Sequence, residues 1–347
     1  MNFEAIIMLF IIYFMLYCSL LWILTFYEKR NNVRSDPKPK RYPLVSIIIP
    51  AWNEEKNIKN AIISCLALDY PKKEIIVVND GSTDKTKEIC EEFSKKGLIK
   101  LINKENGGKA SALNAGIEVA KGEYVCCLDA DSFFEPKALK QMVGYFEDPK
   151  VGAVTSSMKV YKPKNWLQMV QWLEYIFAIY LRKLMSYLNC LYVVPGPGGI
   201  YRKDVLERIG GFDENSITED MEIAFRIQKE GYTIKNSVNA VVQTVVPDKF
   251  IPLVKQRIRW YVGFYDNVKK YKSMVFNPKY GSLGMFIIPT AFIWVGVLIF
   301  GFFKFLLDVF NSLRIPIKMF MLTGFDPEVI LSLLKKSIVF QPNYITV

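Results

Sequence analysis

Val45-Ser46-Ile47-Ile48-Ile49-Pro50-Ala51-Trp52-Asn53-Glu54 is the stretch on which the fold turns. A short β-branched run stops abruptly in polar residues, as a buried parallel strand does when its carboxyl end meets a ligand crevice. Working outward, the pattern recurs. Residues 74–78, 99–102 and 124–128 are further short apolar runs. Helical patterns over residues 55–68, 83–95 and 109–120 separate them. An Asp/Ser/Thr cluster opens the second of these helices, and Gly122 closes the third. The order βαβαβαβ predicts an α/β domain with a doubly wound, mostly parallel sheet. Three strands run into polar groups: Asn53-Glu54, Asp80-Gly81-Ser82 and Asp129-Ala130-Asp131. In an open sheet that is where a site forms. No GxGxxG follows a strand and no GxxxxGK[ST] occurs, which excludes the dinucleotide and Walker classes. Pro195-Gly196-Pro197-Gly198-Gly199 is glycine-rich but has neither spacing.

The chain has 347 residues, of which 51% are hydrophobic, and its mean hydropathy is +0.15. The excess is concentrated. One uncharged apolar run lies between Glu4 and Glu28, another between Lys279 and Lys304. Each is long enough to cross the ~30 Å hydrocarbon core as a helix. The first lacks the basic flank and small-residue cleavage site of a signal peptide and reads as a retained anchor. Lys29, Arg30, Arg34, Lys38, Lys40 and Arg41 follow it, and Lys269, Lys270, Lys272 and Lys279 precede the second run. The positive-inside bias then puts the N-terminus outside and the catalytic domain in the cytosol of a multi-pass cell-membrane protein.

The formal charge of +11 is accounted for mostly by juxtamembrane Lys and Arg, which suit anionic membrane lipids. Nucleic acid is not an expected partner, since no basic stripe carries interleaved aromatics. Six cysteines show no ligand spacing and read as small buried hydrophobes. There is no histidine. That removes Ser–His and Cys–His catalysis and leaves carboxylates as the natural general bases.

Three constellations carry chemistry. Asp129-x-Asp131 places two carboxylates at a strand end, where they can share a hard cation such as Mg²⁺ or Mn²⁺. Thr218-Glu219-Asp220 precedes a helix-like stretch, so Asp220 reads either as an N-cap or as a general base. Gln256-Arg257-Ile258-Arg259-Trp260 lies on a basic, aromatic helical pattern. It is either an interfacial helix or a clamp for diphosphate and sugar. Residues 165–189 form a second amphipathic pattern, packed on the domain or lying at the membrane surface.

Taken together, SIIIPAWNEE, VVNDGSTD, NGGKASALNAG, LDADS, PGPGGIYR, GGFDENSITEDMEIAFRI and QRIRW stand in the order found in one family. The chain resembles the membrane-bound branch of the family 2 glycosyltransferases, with its D, D, D, QxxRW pattern, over about residues 44–263. Poly-N-acetylglucosamine, hyaluronan and cellulose synthases belong to that branch. The resemblance implies a GT-A-type nucleotide-sugar-binding domain with a mostly parallel sheet, flanked by transmembrane helices. It implies that Asp80 contacts the uracil base and that Pro50, Asn53 and Glu54 form the pocket wall. Lys109 would lie near the phosphates, Asp129 and Asp131 would hold Mn²⁺ or Mg²⁺, and Arg259 would clamp the diphosphate. Gly198, Gly199, Gln256 and Trp260 would face the acceptor, and Asp220 would be the catalytic base.

The expected organisation is an anchor at 1–28, a basic linker at 29–43 and the transferase domain at 44–249. An interfacial QxxRW region follows at 250–279, then a transmembrane helix at 280–306 and a membrane-associated segment at 307–347. The expected reaction is inverting, metal-dependent transfer from a UDP-sugar to a growing polysaccharide at the cytosolic face. Only one full span follows QxxRW, so export of a polymer would call for a homo-oligomer, an accessory subunit or reinsertion of the 311–347 segment. One alternative is transfer of a single sugar to a membrane lipid. An alternative of another class is an inactive scaffold or sugar-nucleotide sensor, against which stands the complete carboxylate set.

Overall fold

The computed structural model describes residues 3–323. An apolar helix, α1 (Phe3–Lys29), opens the chain, and a basic linker leads into the domain. There the expected alternation is found: β1 (Val45–Ala51), α2 (Ile58–Leu66), β2 (Lys73–Asp80), α3 (Thr86–Lys95), β3 (Lys100–Lys104), α4 (Lys109–Val119) and β4 (Tyr124–Cys127). β5 (Ser132–Phe134), α5 (Ala138–Val143), β6 (Val151–Val160) and α6 (Trp166–Tyr187) follow. The second half closes with β7 (Gly199–Arg202), α7 (Lys203–Ile209), α8 (Glu219–Lys229), β8 (Thr233–Thr244) and α9 (Phe250–Lys270). A further apolar helix, α10 (Ile288–Thr323), ends the described residues. The helix thus runs beyond the expected span at 280–306, and residues 324–347 of the expected membrane-associated segment lie outside the described residues.

Eight strands form one sheet in the order β3-β2-β1-β4-β7-β6-β8-β5. β3, β2, β1 and β4 are mutually parallel. β7 runs antiparallel to β4 and to β6, β8 is parallel to β6, and the three-residue β5 is antiparallel to β8. The sheet is therefore mixed, with parallel pairing throughout the half formed by β3, β2, β1 and β4.

Strand alternation sorts the core into two layers. Ile47, Ile49, Ile75, Val77, Cys126 and Leu128 face one way, onto Ile58, Ala61, Ile62 and Cys65 of α2. Ile48, Ile76, Val78, Val125 and Cys127 face the other, onto α4, α7 and α8. All six cysteines are free and buried. This is the three-layer arrangement that βα units dictate.

Two amphipathic helices frame the far half. Asn165 caps α6 by accepting the Gln168 N–H at 2.9 Å. Polar side chains then stitch α6 to the domain: Gln168 Nε2 donates to the Val246 carbonyl at 3.0 Å and Lys183 Nζ to the Asn236 carbonyl at 3.0 Å. The opposite face of α6 leaves Trp166, Met169, Val170, Leu173 and Phe177 exposed. α9 likewise exposes Ile251, Ile258, Tyr261 and Tyr265. Against the outer part of the domain, α1 packs Phe26 onto Tyr180 of α6 and Trp22 onto Phe286. Two helices, over Ala5–Asn32 and Leu283–Arg314, are long and apolar enough to cross a membrane.

Ile48 is wholly buried at the centre of the sheet, whereas Ile63 projects outward from α2. Ile48→Ala should cost about 2–5 kcal/mol of stability, read as a lower unfolding midpoint of the detergent-purified chain. Ile63→Ala should stay within about 0.5 kcal/mol of wild type.

Candidate active site

The carboxyl ends of β1, β2 and β4 converge, as a parallel sheet requires. At the end of β1, Asn53 takes a left-handed conformation, φ 54°, which Asn tolerates better than most residues. Its Oδ1 accepts the Thr83 N–H at 2.8 Å, and its own N–H donates to Ser82 Oγ at 3.1 Å. The loops after β1 and β2 are thereby knitted together. Pro50 stands in β1 opposite Val78. The indole of Trp52, which sequence reasoning passed over, is exposed beside them.

Asp80 ends β2 and is buried. Its Oδ1 accepts Lys104 Nζ at 2.8 Å and the Gly107 N–H at 3.0 Å, and its Oδ2 accepts the Gly108 N–H at 2.8 Å. A carboxylate thus holds the turn at the start of α4, where helix N–H groups are otherwise unpartnered. That turn delivers Lys109.

Lys109 is the hub. Its Nζ lies 2.6 Å from Asp129 Oδ1 after β4 and 3.1 Å from Glu219 Oε1 at the start of α8. Burial works against the ammonium charge, but Asp129, Glu219 and Asp220 together hold its pKa well above the usual lysine value. Gly196 makes room for this group: a Cβ there would stand 2.5 Å from Lys109 Nζ and 2.9 Å from Asp129 Oδ1.

Around Lys109 the acids are driven apart. Burial opposes ionisation of Glu219, but Lys109 reverses that and, with help from Arg259, brings its pKa below the ordinary value. Asp220, next in the chain, is pushed up to about 7 by burial and by the Glu219 charge. Its Oδ1 accepts the Met221 N–H at 2.8 Å, inside the first turn of α8, with Thr218 at the cap position. Asp131 is pushed up to about 6 by burial and by Asp129, with a smaller contribution from Glu54. Adjacent carboxylates with opposed shifts are the usual mark of divided acid–base roles.

The donor set suits a hard dication. Asp129 and Asp131 offer oxygen only, and Asp129 Oδ1 is buried and accepts no hydrogen bond beyond its ion pair with Lys109. Among the described residues no group of three or more His, Cys, Asp or Glu could hold a metal ion. The rest of a coordination shell would come from phosphate and water.

α9 crosses close to α8. A Cβ on Gly263 would stand 2.3 Å from Thr218 Oγ1, and Asn267 Nδ2 donates to that same oxygen at 3.1 Å. Further along, Lys270 Nζ donates to the buried Glu222 Oε1 at 2.8 Å, locking the two helices. In the QRIRW segment Arg257 pairs with Glu174 of α6 at 2.6 Å and lies over the Trp260 ring at 4.3 Å. Gln256 Oε1 is buried and accepts no hydrogen bond.

The expected site residues therefore fall into two groups. Lys109 and Asp129 are paired, Asp220 acts on the Lys109 charge, and Asp131 and Arg259 are coupled electrostatically to members of the same cluster. Asp80 reaches that cluster through the Gly107–Gly108 turn, and Asn53 shapes the loop after β1. Gly198 and Gly199 have packing reasons of their own: with φ +77°, a Cβ on Gly198 would meet Val242 Cγ2 at 2.5 Å, and one on Gly199 would meet Val194 Cγ1 at 2.7 Å. Glu219 was missed as a site residue, although its position beside Asp220 in an acidic first turn was visible in the sequence.

Residues 46–210 match the family described as Glycosyl transferase family 2. The poly-beta-1,6-N-acetyl-D-glucosamine synthase of Staphylococcus epidermidis is 36% identical over 225 residues, 64% of this chain and 55% of the relative. That of Staphylococcus aureus strain COL is 31% identical over 268 residues, 74% of this chain and 65% of the relative. The chain thus spans less than two thirds of the length of the curated relatives it matches. Among solved structures, the mannosyltransferase PcManGT from Pyrobaculum calidifontis, in complex with GDP-Man and Mn²⁺, shares the fold with a TM-score of 0.63. It is 22% identical and covers 95% of this chain and 91% of its own. The α/β architecture is the GT-A type expected from the sequence.

If Asp220 serves as a base it must be ionised to act, and activity should then rise with pH as it loses its proton near 7. kcat/KM measured from about pH 5 to about pH 9 should show that limb. Glu219→Gln removes a negative charge that raises the Asp220 pKa and frees Lys109, so the limb should move to lower pH. An unmoved or raised limb would take the base role away from Asp220.

Proposed function

Because the domain over residues 46–210 belongs to glycosyl transferase family 2, we propose that the chain transfers a sugar from a nucleoside diphosphate sugar to an acceptor hydroxyl. The observation that carries this reading is the charge cluster in which Lys109 bridges Asp129 and Glu219, with Asp220 near enough to act on its charge. It supplies a cation for the leaving diphosphate and a carboxylate poised to take a proton.

The reaction is a single inverting displacement. Asp220 accepts the proton of the acceptor hydroxyl as its oxygen bonds to the anomeric carbon, and the bond to the diphosphate breaks on the opposite face. Lys109, fixed by Asp129 and Glu219, lies where negative charge on the leaving group would be stabilised. Mn²⁺ or Mg²⁺ held by Asp129 and Asp131 would neutralise the diphosphate further. Pro50, Asn53, Glu54 and Asp80 form the nucleotide side, and Arg259 stands over the diphosphate. Gly198, Gly199, Gln256 and Trp260 form the acceptor side.

The donor is a UDP-sugar, and similarity to the staphylococcal synthases supports a polysaccharide as acceptor and product. A second reading, transfer to a membrane lipid, is favoured by the exposed apolar faces of α6 and α9. In both readings α1 and α10 span the membrane, the N-terminus lies outside and the domain lies in the cytosol.

Detergent-purified protein given UDP-N-acetylglucosamine, UDP-glucose or GDP-mannose with Mn²⁺ should release nucleotide from one UDP-sugar, and EDTA should stop it. A high-molecular-mass product identifies a polymerase, and a single-sugar glycolipid the lipid reading. Asp220→Asn should lower kcat by roughly a hundred- to ten-thousand-fold while nucleotide binding persists. Full turnover in that variant, or metal-independent release, would overturn the mechanism.

A further inference from the structure

Arg182 lies on the face of α6 that carries Tyr175, Ile179 and Ser186 into the domain. Its Nε and Nη2 are sealed from solvent and donate no hydrogen bond. The groups that act on its charge are the phenols of Tyr175 and Tyr192, with no carboxylate among them. The other inward-facing arginines are all partnered. Arg202 donates to the Val151 and Phe146 carbonyls, Arg226 pairs with Glu222, and Arg257 pairs with Glu174. Burial pushes the Arg182 pKa down, yet a guanidinium does not shed its proton in a protein. Arg182 as a residue is half-buried, but guanidinium N–H groups sealed from solvent without an acceptor are penalised in a folded chain unless a ligand completes them.

Its surroundings indicate which ligand. Tyr175, on the same face of α6, lies within electrostatic reach of both Arg182 and Arg257 of α9. Tyr192 packs edge-on against Phe264 of α9 at 5.6 Å. Arg182 therefore stands where α6, α9 and the chain leading into Gly196 meet. The outer faces of both helices are apolar and exposed, through Leu173 and Phe177 on one and Ile258 and Tyr261 on the other. A molecule reaching Arg182 past these faces needs an apolar body and an anionic head.

We propose that Arg182 is a phosphate-binding group that receives the headgroup phosphate of a membrane lipid entering between α6 and α9 as the acceptor. This rests on the transferase reading and specifies its acceptor. A guanidinium offers the planar, multidentate donor set that phosphate oxygens match. Arg182 transfers no proton and forms no bond to the sugar; it binds and orients.

The test uses the detergent-purified full chain and dihexanoylphosphatidic acid as probe, with neutral dihexanoylglycerol as control and UDP with Mn²⁺ as the donor-side phosphate. Phosphatidic acid should raise the Tm of wild type, and Arg182→Met should need about tenfold more of it for the same shift. Arg182→Lys should keep most of the response, and dihexanoylglycerol should give none in any form. UDP affinity should be the same in all three proteins. Without ligand, Arg182→Met should be more heat-stable than wild type, because it removes an uncompensated charge. Equal responses of wild type and Arg182→Met to phosphatidic acid would overturn the proposal. So would a parallel loss of UDP affinity, which would give the guanidinium to the donor diphosphate. A less stable Arg182→Met with an unchanged lipid response would make Arg182 a structural residue. Asp220→Asn should bind phosphatidic acid as wild type does, so failure of the base assignment and failure of this subsite are read separately.

Discussion

The pairing of Lys109 with Asp129 and Glu219 is the constraint on which the rest of the active region depends. Three elements distant in sequence contribute to it: the start of α4, the end of β4 and the start of α8. Without the ammonium, Asp129, Asp131, Glu219 and Asp220 would face one another in a poorly solvated pocket, and like charges at close range there repel strongly. Lys109 also occupies the first turn of a helix, where the macrodipole disfavours a cation. Helix stability does not place it there. The acids do, and Asp80 assists by occupying the Gly107 and Gly108 N–H groups with its own negative charge. The nucleotide-side turn and the catalytic pocket are therefore one electrostatic unit.

That unit explains how two neighbouring carboxylates come to differ. Glu219 faces Lys109 and is held ionised, while Asp220 carries the burial penalty and the charge of Glu219. α8 fixes the pair through its first turn, and α9 fixes α8. Gly263 allows close passage at Thr218, Asn267 bonds that same side chain, and Lys270 reaches the buried Glu222. The helix bearing QRIRW is thus registered against the helix bearing Glu219 and Asp220. Rigid elements, rather than loops, set the distances that a single displacement needs.

The parallel half of the fold was legible because residues 45–49, 74–78 and 124–128 are continuous apolar runs that each end in polar groups. No other arrangement of such runs separated by helices is common. β7 was not legible as a strand: it has four residues, begins at Gly199, and pairs antiparallel only because Gly198 and Gly199 fit between Val242 and Val194. β5, with three residues, carries no period to read. Within the site, the residue types of Asp129, Asp131, Asp220 and Lys109 were visible at once. What the sequence withheld was how Glu219 divides its work with Asp220, since adjacent carboxylates differ only through the groups each faces. Arg182 was hidden for a stronger reason: a sequence displays residues but not the absence of a partner.

The satisfied and unsatisfied groups split the active region into two sides of different character. Around Lys109 the charges are countered, and Asp80 has donors on both oxygens. Toward α6 and α9, Arg182 lacks an acceptor and Gln256 Oε1 lacks a donor. Selection for stability alone would remove such groups, since each forfeits hydration without a replacement bond. Proteins keep them where function needs them. The strand-end side is therefore assembled by folding, whereas the side toward α6 and α9 keeps polar groups that a ligand of the proposed kind would complete. Binding there gains what folding left unsatisfied, and a molecule without matching oxygens would leave those groups unpaired. On the proposed function, discrimination between acceptors accordingly belongs to α6 and α9, while the carboxylates and Lys109 at the strand ends set the chemistry.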